Sequence, residues 1–191
     1  TASFLTELRT TFSSISTIPI PSISAISSIA LGGGLELALC THMRVLASTS
    51  EIGLPETRLG IIPGAGGTYR LPALIGLSRA RDLILTGRRI SGKEAHFIGI
   101  ADRLVNVIPR ENETGADLLA RSRMEVLQTA IDLAEEICEG APLAIRCALT
   151  AIESGGAEIE SQMYKKVVGT KDRNEALLAF KEKRKPAFKG N

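Results

Sequence analysis

The apolar positions Phe4, Leu5, Leu8, Phe12 and Ile15 recur at helical spacing, which predicts an amphipathic helix over residues 2–15, ended by Pro19 and Pro21. Residues 20–26 alternate like a buried strand. Three glycines, Gly32–Gly34, turn the chain into a helix to about His42, after which Met43–Ala47 reads as a strand and a shorter one lies near Glu51–Leu54. A Gly64–Gly67 loop opens a helix that ends near Gly76, and another covers Ser78–Thr86. Ser91-Gly-Lys-Glu94 has the form of a capping box. Its helix stops at Gly99, and Ala101–Val107 is a strand. From Asn112 onward strand signals vanish. Helices are predicted to about Glu139 and over Pro142–Ser154, Ala157–Gly169 and Asp172–Lys185, with Pro142 at a first helical position and Gly155-Gly156 as a stop. The strand–turn–helix rhythm predicts an α/β core over residues 1–110. The helical region over 111–191 reads as an association element rather than an independent domain.

Length and composition narrow this picture only modestly. A chain of 191 residues, 44% hydrophobic and 23% charged, builds one core with a small appendage. Its net charge of +2 makes no case for a nucleic acid or a membrane. With no tryptophan and 4% aromatics, base-stacking platforms are disfavoured. Ser, Gly, Pro or charge interrupts every apolar stretch, so none spans a membrane. Cys40, Cys138 and Cys147 lack CxxC spacing. Cys40 and Cys147 read as small buried hydrophobes, and the set fits a reducing interior, where the sequon Asn112-Glu-Thr114 is silent. His42 and His96 stand isolated, without a metal-ligand pattern. The chain opens at Thr1 with no initiator methionine and reads as part of a longer one.

Candidate chemistry sits in two segments. Ile29-Ala-Leu-Gly-Gly-Gly-Leu-Glu-Leu-Ala-Leu39 places glycines at the mouth of an apolar helix that holds one carboxylate, Glu36. Amides at a helix start lack intrahelical partners and sit at the positive end of its dipole, so they suit a developing negative charge. Glu36, among leucines, is expected to be partly desolvated, as an acid/base residue needs. Gly53-Leu-Pro-Glu56 brings a second carboxylate, and Pro63, Gly64, Gly66 and Gly67 form another tight loop beyond it. Two carboxylates and two amide-rich turns suit the addition of water across a double bond beside a carbonyl. Neither glycine string is a nucleotide fingerprint. Tyr69 stands where GxGxxG requires glycine, and no Walker lysine follows Gly32–Gly34. The end Lys181-Glu-Lys-Arg-Lys185 is by itself a solvated basic stretch.

Through Ala30-Leu-Gly-Gly-Gly-Leu-Glu-Leu-Ala38, Gly53-Leu-Pro-Glu56, Gly60-Ile-Ile-Pro-Gly-Ala-Gly-Gly-Thr68 and Leu85-Thr-Gly-Arg-Arg-Ile-Ser91, nearly the whole chain resembles the crotonase (enoyl-CoA hydratase/isomerase) superfamily. Thr170-Lys-Asp-Arg173 and Leu178-Ala-Phe-Lys-Glu-Lys-Arg184 look most like the methylglutaconyl-CoA hydratase (AU-binding homologue) branch. The resemblance implies a spiral of stacked ββα turns with a C-terminal helical region that packs trimers, usually paired as hexamers. It implies an enzyme that needs no cofactor and takes a coenzyme A thioester as substrate, in the mitochondrial matrix, or in the cytoplasm of a bacterium. Residue by residue, it makes Glu36 and Glu56 the acid/base pair, Gly33 one oxyanion-hole amide, and Gly64 an amide near the attacking water. Phe180 and Lys183 match residues that reach a neighbouring subunit's CoA adenine and phosphates. Keeping both glutamates favours hydration over isomerisation. The alternatives are another reaction of the superfamily, a non-catalytic paralogue, or RNA binding. RNA binding is tied in AU-binding relatives to a lysine-rich helix upstream of Thr1, so this stretch supports no such partner. The second oxyanion amide and much of the CoA surface also belong upstream. Ser27-Ser28 departs from the Asn-Gly or Asp-Gly turn of relatives, so a slightly altered corner is expected, and Pro109–Arg123 reads as a surface insertion. If the substrate carries a second carboxylate, Arg58 and Arg70 are the nearest cations in sequence. The plainer reading of both is surface charge.

Overall fold

The structure, a computed structural model, describes residues 2–191. It divides into two units: the first runs to Ile18 and resumes over Ser22–Ile131, and the second comprises Pro19–Pro21 and Asp132–Asn191. The first unit begins with α1 (Ala2–Ser16), which buries Phe12 and half-buries Leu8 and Ile15. Then come β1 (Ile23–Ile26), β2 (Ile29–Leu31), α2 (Gly33–Ala38), β3 (Met43–Ala47) and β4 (Glu51–Gly53). A 3-10 turn (Pro55–Leu59) leads to α3 (Gly67–Ile75), α4 (Leu77–Thr86), β5 (Arg89–Ser91), α5 (Gly92–Phe97), β6 (Arg103–Val105) and α6 (Gly115–Cys138).

The strands form two small sheets. β1, β3 and β6 are parallel in that order, with Ile23 beside Met43 and Val45 beside Arg103. In the other, β4 pairs parallel with β2 and antiparallel with β5. Each of the first two turns of chain therefore lays one strand on each sheet before its helix, the stacked ββα rhythm read from the sequence. Leu35, Leu46, Ile52, Leu54, Leu71, Leu83 and Ile100, each at most 1% exposed, lie in one apolar cluster of these turns. The corners between sheets are polar. Ser48 exchanges hydrogen bonds with Val107 through its hydroxyl, and Gly92 donates its N–H to the Ser50 carbonyl so closely to Ala47 that a side chain has no room.

Several short elements differ from the sequence reading. Only Ile23–Ile26 of the strand expected over 20–26 pairs, because Pro21 lacks a ladder donor and Ser22 turns its N–H to His42 Nδ1 at 3.0 Å. The second helix stops at Ala38 instead of His42, where the Thr41 hydroxyl takes the Ala38 carbonyl at 2.8 Å and binds Ser24 as well. Three-residue β2 and β5 were hidden, one inside the glycine-rich motif and the other ahead of the capping box. The N-cap half of the box forms, Glu94 N–H donating to Ser91 Oγ at 3.2 Å, while the Glu94 carboxylate meets Arg88 at 2.8 Å. The Ser27-Ser28 corner is unstrained, since Asn112 and Lys183 are the non-glycine residues with positive φ among those described. Buried Ser122 of α6 donates to the Ser27 carbonyl at 3.0 Å and supports that corner. Of the stretch Pro109–Arg123 expected as a surface insertion, the residues from Gly115 onward form the first turns of α6, and Arg121 within it forks onto the Glu113 carboxylate with two 2.8 Å bonds.

The least anticipated side chain in this unit is Arg44, 4% exposed on β3. It donates to the carbonyls of Ile100 and Thr41 at 2.7 Å and meets Asp102 at 3.5 Å. Burial pulls its guanidinium down from its ordinary value, and Asp102 pushes back.

In the second unit, α7 (Pro142–Ser154) and α8 (Ala157–Val168) pack together across Gly155-Gly156, both at positive φ, as the stop signal required. α9 (Lys171–Glu182) is closed at its start by the C-terminal segment. Buried Asp172 accepts the amides of Lys189 and Gly190, and the Asn191 carbonyl accepts those of Lys171 and Asp172.

Candidate active site

The site is assembled by three loops of the first unit. At the first, β2 runs into α2 through Gly32, whose φ of 54° and ψ of −124° exclude a side chain on conformational grounds. A Cβ there would also lie 3.2 Å from Glu56 Oε1, so the turn and the second carboxylate touch. Gly33 and Gly34 face open space, with no atom within 4 Å of where a side chain would begin. Gly33 is the first residue of α2, so its N–H has no partner within the helix. Backbone donors, the positive end of a short helix and room for a ligand thus coincide at one turn.

One turn later α2 delivers Glu36 to the interior, 3% exposed. Its Oε1 accepts two backbone N–H groups, from Ala65 and Gly67, each at 2.8 Å. These charge-assisted bonds replace water and fix the carboxylate in one orientation. The donors come from the third loop, where Gly66, at φ 119°, reverses the chain before α3. A side chain at Gly67 would press on Leu54, Pro63 and Glu36 itself, which explains the paired glycines. Cys40, also buried, donates its thiol to the Glu36 carbonyl at 3.1 Å. Burial pushes that thiol up, Arg70 opposes the shift, and Glu36 adds to it, so Cys40 is inert packing.

Glu56 lies on the 3-10 turn, 8% exposed, and its Oε2 has no hydrogen-bond partner among the described residues. Burial raises its carboxyl from the ordinary value, its own backbone amide pulls the other way, and the nearby Glu36 charge raises it further. An unsatisfied, desolvated oxygen is costly in a folded chain and marks a place where a ligand or water belongs.

The structure therefore brings Glu36, Glu56 and the Gly32–Gly34 turn together and adds the Gly64–Gly67 loop to them. The amides that hold Glu36 are those of Ala65 and Gly67, which the glycine string hinted at without saying which. Gly64 turns its carbonyl to Arg9 Nε at 2.7 Å. Of the two candidate cations, Arg58 donates to the Thr86 carbonyl at 2.9 Å. Arg70 donates to the Ala65 carbonyl at 2.9 Å and stacks 4.8 Å over the Tyr69 ring. Both brace local backbone. In the second unit, Phe180 is 86% exposed, and Lys183 caps α9 at φ 56°. Among the described residues, no group of three or more His, Cys, Asp or Glu side chains has the spacing to hold a metal, and no helix is long and apolar enough to cross a membrane.

The family model described as Enoyl-CoA hydratase/isomerase matches residues 1–191. A methylglutaconyl-CoA hydratase 1, mitochondrial, of Pyricularia oryzae is 60% identical over 197 residues, covering 100% of this chain and 56% of that protein. An enoyl-CoA isomerase/hydratase of Zymoseptoria tritici is 64% identical over 192 residues, covering 100% and 61%. The chain thus spans less than two thirds of the length of these curated relatives. Among solved structures, the 1.8 Å crystal structure of an enoyl-CoA hydratase from Bacillus anthracis superposes with a TM-score of 0.87 at 44% identity, covering 98% of this chain and 69% of that one.

Proposed function

We propose, from the premise that this chain belongs to the enoyl-CoA hydratase/isomerase family, that the protein carrying it adds water across the 2,3 double bond of a 2-enoyl-CoA thioester. The observation that carries this reading is the pair of buried carboxylates with complementary settings. Glu36 has one oxygen held by two N–H donors, and Glu56 has one oxygen left without a partner. In this reading the thioester oxygen lies against the Gly33 amide, which stabilises the enolate as charge moves onto it. Water is held between the two carboxylates. Its oxygen bonds to C3, a proton passes to a carboxylate, and a proton is delivered to C2. The net change is one water added. Glu36, fixed by donors, suits the accepting role, and Glu56, raised by burial, suits the carboxyl that carries the proton. Gly64 is assigned an amide near the attacking water.

The coenzyme A moiety enters as part of the substrate. Phe180 and Lys183 are proposed to meet the adenine and phosphates bound by a neighbouring subunit, an aromatic face and a cation suited to that ligand. That role requires a trimer or hexamer, with the region over 111–191 as its association element. Leu127 and Ile131, 50% and 41% exposed on this chain alone, support such a covered surface. The names of the mitochondrial relatives support a mitochondrial location.

For the acyl group, the relative named methylglutaconyl-CoA hydratase favours 3-methylglutaconyl-CoA. The deciding measurement is kcat/KM for 3-methylglutaconyl-CoA against crotonyl-CoA with the full-length protein. A clear preference for crotonyl-CoA removes the branch assignment, and failure to hydrate either removes the hydratase reading. Isomerisation is the second reading, favoured by the 64% identical relative whose name pairs the two activities. It predicts a shifted double bond with no hydroxyl in the product.

A further inference from the structure

The peptide joining Gly64 to Ala65 is hydrogen-bonded at both ends. Its carbonyl accepts Arg9 Nε at 2.7 Å, and its N–H donates to Glu36 Oε1 at 2.8 Å. Arg9 is an exposed residue on the first helix, 55 positions from the carbonyl it holds, and it does not itself contact the carboxylate. The rest of that helix face is fitted to the same loop. Phe12 is buried with Ala65 and Cys40, with Leu8 and Ile15 beside them. Leu5 Cδ2 stands 3.4 Å from where a Gly64 side chain would begin. Arg70 holds the next carbonyl, that of Ala65, and lies 3.5 Å from Ser16 Oγ at the helix end.

A cation on a peptide carbonyl draws electron density toward the oxygen and leaves the N–H of the same peptide a stronger donor, because hydrogen bonds in series polarise one another. It also fixes the plane of that peptide. We propose that Arg9 is a positioning residue for hydration: by holding the Gly64 carbonyl against α1 it aims and polarises the Ala65 N–H that orients Glu36. The inference rests on the hydratase reading, since it assigns Arg9 a role through Glu36. Arg70 is the secondary brace, whose packing over Gly66 leaves it too structural to serve as the probe.

The test uses the full-length protein with crotonyl-CoA and the variants Arg9→Gln, Arg9→Met and Arg9→Lys. All three residues are good helix formers, so α1 persists. The neutral variants should lower kcat about tenfold, less than the hundredfold or more of deleting a direct donor. KM should stay within about twofold, since no substrate contact is lost. Arg9→Lys should recover most of kcat. Should Arg9→Gln not fold, Arg9→Met carries the same reading. Unchanged kcat in the neutral variants overturns the proposal. So does a loss that Arg9→Lys shares equally, which is the pattern of packing alone. Wild-type turnover separates the two readings: its absence sinks the hydratase assignment and this proposal with it, whereas an active wild type with an equally active Arg9→Gln sinks this proposal alone.

Discussion

Replacing Glu36 by glutamine and by alanine should separate its chemical role from its structural one. Its Oε1 takes two N–H donors at 2.8 Å while the side chain is 3% exposed. Glutamine keeps an oxygen in that place. Each bond falls from charge-assisted to neutral, losing about 1 kcal/mol, and the lower cost of burying an amide offsets part of this. The net destabilisation should be about 1 kcal/mol, or about 2–4 °C in Tm for a chain of this length. Alanine instead leaves two buried donors without acceptors, at about 1–3 kcal/mol each. Its total of about 2–6 kcal/mol should lower Tm by roughly 8 °C or more at mid-range. Catalysis should not discriminate between them. Both remove the carboxylate, and hydration of crotonyl-CoA should fall by about 10²–10⁴ in kcat, with KM within about threefold. The assay is steady-state hydration by the full-length protein alongside a thermal melt of each variant. A glutamine variant within a few-fold of the wild-type rate refutes the chemical assignment. Equal melting temperatures for the two variants refute the argument that the two amides depend on this oxygen.

Glu56→Gln should also abolish most hydration, and its effect on stability should depend on pH. The folded carboxyl is raised above its ordinary value of 4.5, so the folded state holds that proton more tightly than the unfolded chain. This contribution is fully present below 4.5 and lost as pH rises through the raised value. Relative to wild type the glutamine variant should therefore gain stability at neutral pH, the gain shrinking toward pH 4.5; urea titrations at pH 5 and 8 that show no such trend contradict it. Arg44→Met should cost about 3 kcal/mol, because it strands buried carbonyls and Asp102; an unchanged urea midpoint argues against that account. Phe180→Ala should raise KM for the acyl-CoA more than it lowers kcat, and sedimentation should give a trimer or hexamer; a monomer at micromolar concentration removes the proposed subunit-crossing role of Phe180 and Lys183.

Much of this molecule was readable along the chain. The helix over Pro142–Ser154 matches its expected bounds residue for residue, because a first-turn proline and a glycine pair mark both ends locally. Glu36 stood out for a similar reason, as the one carboxylate in an apolar helix headed by glycines, whereas Glu56, in an ordinary Pro-Glu-Thr stretch, was singled out mainly by the family resemblance. Such signals lie within one element, where sidedness, caps and permitted φ are dictated by residues three or four apart. Tertiary structure decided the rest. Ala65 and Gly67 lie 29 and 31 positions from the carboxylate they hold, and Arg9 lies 55 from its carbonyl. A backbone amide carries no residue-type signature, and an arginine on a polar helix face looks solvated until the fold supplies its acceptor. β2 and β5 stayed hidden because one sits against the glycine-rich motif and the other against the capping box, whose signals mask so short a strand, and their pairing to β4 is what makes them strands. Arg44 carries the same lesson for burial. An arginine is seldom fully buried, and only the carbonyls of Ile100 and Thr41, gathered by the turns around it, make its interior place tolerable.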